Sequence, residues 1–144
     1  MQVYKPNFKR TIDGIPGLAV VVIQHAISEE VLMVAFTDEA GWRQSLETGM
    51  ASLYSTSRKK SWVKGEESGN FMKIAVAKID CDGDTLVYHV EPLGEKLACH
   101  TGARTCFYRD VVVADNKEDP PSRAGPEEEL ECVEIELHPN FILF

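Results

Sequence analysis

Two apolar runs rich in β-branched residues, 71–79 and 85–90, flank the pair Asp82-Gly83. An Asp-Gly pair between two such runs predicts a β-hairpin, because glycine tolerates the positive φ that a tight turn requires. This feature constrains the fold most, since it commits the middle of the chain to an antiparallel sheet.

Five further runs predict strands by their apolar content or alternation: 18–24, 31–36, 50–54, 106–113 and 130–137. Between the second and third of these, Thr37 is predicted to cap a helix that stops at Gly49. Segments 55–70 and 91–105 lack periodicity and are predicted to be loops. One clear helix among mainly antiparallel strands predicts an α+β fold.

A chain of 144 residues is expected to form one domain. Residues 115–144 hold nine acidic and two basic side chains, so most of the net charge of -8 belongs to this segment. We therefore predict a domain at 1–114 and an acidic, proline-containing extension at 115–144. The basic segment around Arg58 has too few interleaved aromatic residues to indicate nucleic-acid binding.

No apolar run approaches the roughly 20 residues of a membrane helix, and residues 1–10 lack the apolar core of a signal peptide. We therefore expect a cytoplasmic protein with no membrane partner. In that compartment, four cysteines are expected to be metal ligands, catalytic groups or buried thiols rather than two disulfides.

Three of the thiols, Cys81, Cys99 and Cys106, could form a zinc site. Their spacing does not match the paired Cys-x-x-Cys knuckles of structural zinc modules. Three protein ligands with an open position are typical of catalytic zinc. Two alternatives stay open for Cys132, which could complete a four-thiol site or be a small buried hydrophobic residue.

Asp80, Asp82 and Asp84 are spaced by two, so their carboxylates can converge on a hard cation such as Mg²⁺. The alternatives are a turn that uses these residues only for its geometry and the start of a calcium loop ending at Glu91. His100 adjoins one of the thiols and could accept a proton near neutral pH, although a structural role is about as common.

Taken together, these segments resemble the phosphoribosyl-AMP cyclohydrolase family over residues 17–109. The resemblance rests on the order of several motifs: 30–33 (EVLM), 46–49 (LETG), 55–58 (STSR), 62–69 (WVKGEESG), 80–84 (DCDGD), 99–102 (CHTG) and 106–109 (CFYR). It implies hydrolysis of the N1–C6 bond of the adenine ring in N1-(5-phosphoribosyl)-AMP, a step of histidine biosynthesis.

The resemblance also implies an intertwined homodimer in which Cys81 of one subunit joins Cys99 and Cys106 of the other at Zn²⁺. It implies that the three aspartates bind Mg²⁺ and that His100 is the general base or proton shuttle. The substrate, a phosphorylated nucleotide, would contact six residues: Ser57, Arg58, Trp62, Lys64, Ser68 and Arg104.

Two arginines common in the family are missing here, where Thr56 and Val63 stand instead. Lys59 and Lys60 are possible substitutes for the lost charge. Two alternatives follow: a paralogue that hydrolyses a different purine-like ring, and a non-catalytic module in which thiols and carboxylates merely hold metal ions.

Overall fold

The computed structural model describes residues 4–111 and 113, and these form one helix and seven strands. In chain order they are β1 Arg10–Ile12, β2 Ile15–His25, β3 Val31–Thr37, α1 Glu39–Thr48, β4 Ser52–Ser55, β5 Lys60–Val63, β6 Met72–Ile79 and β7 Thr85–Pro92. Predicted strand 130–137 and extension 115–144 lie outside the described residues.

The strands form a single sheet in the order β5-β4-β3-β2-β7-β6, and β1 pairs with β2. Every pairing is antiparallel except that of β2 with β7, which is parallel. The sheet curls, because Met50, just before β4, bridges Lys73 in β6 on the far side of the order. The prediction of a mainly antiparallel α+β fold is confirmed.

The hairpin around Asp82-Gly83 is also confirmed. β6 and β7 pair antiparallel from Met72 opposite Pro92 to Ile79 opposite Leu86. Gly83 lies in the turn at φ 76°, in the left-handed region that glycine adopts without a steric penalty. The turn thereby projects Cys81 and its neighbouring carboxylates from one end of the sheet.

The helix starts one residue later than predicted. Asp38, not Thr37, is its N-cap, because the Asp38 side chain accepts a hydrogen bond from the Gly41 amide at 2.8 Å. Thr37 is instead the last residue of β3, and its hydroxyl donates to the Ser52 carbonyl. The predicted stop at Gly49 is correct, since Gly49 adopts the left-handed conformation and closes the last turn.

Two predictions of extended and irregular structure are wrong. Predicted loop 55–70 contains β5, because residues 60–63 gain main-chain partners only when they fold back onto β4. Predicted strand 106–113 is irregular throughout its described part, because the Cys106 amide bonds the Leu32 carbonyl without a ladder beyond it. The first error concerns a pairing between consecutive strands, whereas the second concerns a partner that is distant in sequence.

The core lies on one face of the central strands, where Val21, Ile23, Leu86, Tyr88 and Leu53 are buried. Side chains alternate between the two faces of a strand, so the intervening residues of β2, β3 and β7 face the other way. Within the described part of the chain, no helix is long and apolar enough to cross a membrane.

Candidate active site

A cavity of about 640 Å³ opens between two segments that are distant in sequence. One wall, which we call wall A, comes from residues 58–70, and the other, wall B, comes from residues 95–106. Seven of the predicted site residues line this cavity: Arg58, Trp62, Lys64, Ser68, Cys99, His100 and Cys106. The fold therefore joins the basic and aromatic segment to the thiols and the imidazole in one site.

Wall A carries its positive charge around an aromatic ring. The Arg58 guanidinium lies 5.8 Å from the Trp62 ring centroid, and the Lys64 ammonium lies 6.0 Å from it. Lys64 is only 8% exposed. Burial lowers the pKa of Lys64, while the nearby thiols of Cys106 and Cys99 act to raise it. A buried cation in a cavity of this kind suits an anionic ligand.

Wall B brings Cys99 and Cys106 together. Desolvation raises the pKa of the Cys106 thiol to about 11, and the adjacent Cys99 reinforces this shift through charge and a hydrogen bond. Thr101 donates a hydrogen bond to the Cys99 sulfur at 3.0 Å. Two neighbouring thiols resist ionisation unless a cation offsets their charge, and a coordinating metal ion deprotonates a thiol outright.

Cys81 lies at the opposite end of the sheet. The Cys106 amide bonds the Leu32 carbonyl, and this part of β3 pairs with β2 near Gln24. The Cys81 turn meets β2 near Val20, whose amide bonds the Asp84 carbonyl. Val20 to Gln24 alone spans about 13 Å at roughly 3.3 Å per residue. Zinc–sulfur bonds are about 2.3 Å long, so Cys81 cannot share an ion with Cys106 of its own chain.

The three aspartates do converge, as their spacing predicted. Oxygen atoms of Asp80, Asp82 and Asp84 lie within 4.8 Å of one another, and the described residues contain no other three-residue cluster of acidic, histidine and cysteine ligands. Lys9 lies 3.2 Å from Asp82, and Arg10 pairs with Asp84. Chemically, the oxygen donors fit a hard divalent cation.

Burial acts to raise the pKa of Asp84, but it is outweighed by hydrogen bonds from Thr85 and Arg10 and by the Arg10 charge. The pKa of Asp84 therefore lies below its usual value. The carboxylate is thus held in the ionised form that a metal ligand requires.

Two predicted substrate contacts lie outside the cavity. Ser57 occupies the turn between β4 and β5, where its hydroxyl is 3.3 Å from that of Ser55. Arg104 lines a second cleft and forms a two-pronged ion pair with Glu30, at 2.8 and 3.0 Å.

The cavity also has lining residues that sequence reasoning did not single out, among them Asn70, Glu66, Glu67 and Glu95. Glu66 and Glu67 belong to the 62–69 motif but were read only as part of it. Asn70 ends a predicted loop and Glu95 lies inside another. Nothing local marks these two, because only the tertiary fold places them together.

A family model described as phosphoribosyl-AMP cyclohydrolase matches residues 33–108. A phosphoribosyl-AMP cyclohydrolase of Methanoregula boonei is 49% identical over 112 residues, which cover 76% of this chain and 89% of that protein. One of Desulfotalea psychrophila is 46% identical over 105 residues, covering 73% and 80%.

A histidine biosynthesis bifunctional protein of Lactococcus lactis is similar as well. It is 42% identical over 119 residues, covering 83% of this chain and 53% of that protein. The matched region 33–108 includes both walls of the cavity and the aspartate turn.

Proposed function

The chain belongs to the phosphoribosyl-AMP cyclohydrolase family, and from this we propose that it opens the adenine ring of N1-(5-phosphoribosyl)-AMP by hydrolysing the N1–C6 bond. The reaction is a step of histidine biosynthesis, and its proposed cofactors are zinc and magnesium. The observation that carries the proposal is the cavity, in which two thiols and an imidazole face a buried cation and an aromatic ring. A bisphosphorylated purine nucleotide needs each of these chemistries.

Zinc would be held by Cys99 and Cys106 of one subunit, and the donor set fits, because thiolates are preferred zinc ligands. When bound there, zinc supplies the positive charge that makes water nucleophilic at neutral pH. His100 lines the same cavity and accepts the proton that the attacking water loses. Arg58 and Lys64 bind phosphate, and the Trp62 ring orients the substrate.

The basic test is turnover of phosphoribosyl-AMP by zinc-loaded protein with Mg²⁺, followed by the ultraviolet change on ring opening. Absence of turnover from neutral to mildly alkaline pH would refute the assignment. Turnover of a different purine-like nucleotide instead would support the paralogue, whose specificity would then reflect Thr56 and Val63.

His100→Ala is expected to lower kcat by about 10²- to 10⁴-fold, the usual contribution of a general base. His25→Ala is the matched control, because it removes an imidazole that lies in β2 outside the cavity lining. A His100→Ala enzyme with wild-type kcat would remove this residue from the mechanism.

Cys81 of a second copy would be the third zinc ligand. Two features support this. Within one chain Cys81 lies too far from the other thiols, and it is exposed on the Asp80–Asp84 turn. The sheet also has an apolar outer face, on which Val22 pairs with Val34 and Val87 and Val34 is 46% exposed. A row of this kind, which no other described element covers, favours self-association in a two-fold dimer.

Subunit mixing tests the shared site directly. Cys81→Ser and Cys99→Ser proteins are each expected to lose zinc and activity. After exchange of subunits at equal concentration, about a quarter of wild-type activity should return, because half of the two-fold dimers then carry one intact site out of two. Cys99→Ser mixed with Cys106→Ser is the control and should stay inactive, since both changes damage the same side. Equal recovery in both mixtures, or none in either, would refute the shared site.

Magnesium would bind Asp80, Asp82 and Asp84 and neutralise substrate phosphate. Asp82→Asn is expected to raise the Mg²⁺ concentration needed for half-maximal activity while zinc content stays at the wild-type level. Equal Mg²⁺ dependence in the variant and the wild type would exclude the aspartate cluster as the magnesium site.

A further inference from the structure

We propose that Asn70 is a positioning residue that holds the two walls of the cavity in register, an inference that rests on the proposed function of the same site. Its side-chain oxygen accepts a hydrogen bond from the Glu95 amide at 2.8 Å, across 25 residues of sequence. Asn70 itself is 8% exposed. The acceptor is buried although Glu95 itself is exposed, so the bond is partly shielded from water and restrains the distance between the segments that it joins.

The surroundings of Asn70 show that the two segments are in close contact. A Cβ at Gly94 would lie 2.6 Å from the Gly69 carbonyl oxygen and 2.8 Å from the Asn70 side-chain oxygen. Next to this contact, the Leu93 amide donates to the Phe71 carbonyl at 2.9 Å. The turn that begins wall B therefore lies directly on the end of wall A.

Wall A is shaped around Asn70 by short local bonds. The Asn70 amide donates to the Ser68 hydroxyl at 3.2 Å, and the Gly69 amide donates to the Gly65 carbonyl at 2.8 Å. These bonds fold residues 65–70 into a tight turn directly after Lys64. Asn70 is thus rigidly connected to the side of the cavity that carries the buried cation.

Wall B is attached at its two ends. Glu95 is held by Asn70, and the Cys106 amide donates to the Leu32 carbonyl at 2.7 Å. Between them, the Cys99 amide bonds the Ala103 carbonyl at 3.1 Å, and the buried Ala98 packs in the core. The Leu93–Phe71 bond would remain beside it, so loss of the Asn70 bond would loosen this end of wall B without freeing it and would let His100 shift relative to Lys64. A misplacement of about 1 Å can reduce a rate by roughly 10²-fold.

The test compares Asn70→Ala, which lacks the acceptor, with Asn70→Asp, which keeps an oxygen in its place. Ser45→Ala is the matched control, because Ser45 is also buried and its hydroxyl accepts the Ser52 amide at 2.8 Å, but it lies outside the cavity lining. Amide exchange at Glu95 is measured by NMR in all three and in the wild type. If Asn70→Ala does not fold, Asn70→Ser, whose hydroxyl is too short to reach Glu95, replaces it.

We expect Glu95 exchange to accelerate by about tenfold or more in Asn70→Ala and to stay protected in Asn70→Asp and Ser45→Ala. We also expect Asn70→Ala to lose at least about tenfold in kcat/KM, mainly through kcat, while Ser45→Ala loses stability but keeps its kinetic constants. Unchanged Glu95 exchange in Asn70→Ala, or kinetics equal to those of the control, would overturn the inference. A wild type without turnover would refute the proposed function alone, because the exchange measurement still decides the role of Asn70.

Discussion

The contact between the two walls predicts a large difference between two glycine-to-alanine substitutions that appear alike in sequence. Gly94 and Gly14 both adopt positive φ, at 67° and 76°. Alanine in this conformation costs roughly 1–2 kcal/mol at either position. At Gly14 an added Cβ meets nothing within 4 Å, whereas at Gly94 it would meet two oxygen atoms at 2.6 and 2.8 Å.

The difference between the two variants therefore isolates the contact itself. Ordinary Cβ contacts lie at 3.4–4 Å, so in Gly94→Ala one wall must retreat by several tenths of an ångström. Overpacking of this kind typically costs about 1–3 kcal/mol. We expect Gly14→Ala to lose about 1–2 kcal/mol of unfolding free energy and Gly94→Ala about 2–5 kcal/mol.

Urea denaturation of the wild type and both variants measures these losses, provided that the slope of unfolding free energy against urea concentration is the same for all three proteins. The extra loss should also lower the melting temperature of Gly94→Ala by about 4 °C per kcal/mol. Only Gly94→Ala should lower kcat/KM, because only it separates the walls. Equal destabilisation of the two variants, or wild-type kinetics in Gly94→Ala, would refute the reasoning.

Three further predictions concern other parts of the molecule. Asp38→Ala should cost about 0.5–2 kcal/mol in urea denaturation, because it removes the bond to the Gly41 amide; no loss would contradict Asp38 as the N-cap. In metal-free protein, Asp84→Asn should weaken the loss of stability at acid pH, as measured by thermal unfolding. The pKa of Asp84 is lowered by folding, so the carboxylate stabilises the fold above pH 3.8, and this stabilisation disappears as pH falls through the lower pKa of the folded state. An unchanged loss of stability at acid pH would argue against the ion pair. Arg104→Lys should change stability by less than about 1 kcal/mol, because the Arg104 side chain is 66% exposed and lysine keeps the charge beside Glu30; a large rise in KM would instead support substrate contact by Arg104.

The hairpin and the helix stop could be predicted because both depend on local chemistry. Gly83 and Gly49 each occupy a left-handed position that glycine adopts without penalty, so a short segment contains the whole signal. The aspartate cluster was predictable for the same reason. Three carboxylates spaced by two around a tight turn are close in sequence, so their spacing alone indicates that they can converge.

The errors have different causes. Residues 60–63 form β5 in a short hairpin with β4, in which Ser55 pairs with Lys60, but their polar composition carries no strand signal. Cys106 is irregular because its amide bonds the distant Leu32 carbonyl and no ladder continues beyond that bond. Thr37 and Asp38 are both suitable caps by type, and the structure uses Asp38, which accepts the Gly41 amide, while the Thr37 hydroxyl donates to the Ser52 carbonyl. The local signal therefore placed the helix start to within one residue.

The sequence alone therefore determined the local elements, the residue types of the site and the family resemblance, because turns, periodicity and ligand chemistry are encoded over a few residues. Only the tertiary structure decided which of these residues meet. β7 runs from the Cys81 turn to the start of wall B, so its eight residues place the two at opposite ends of the sheet, and curling of the sheet brings the two walls together. Contacts between segments depend on how strands pair and on which ends they share, and that information is distributed over the whole chain.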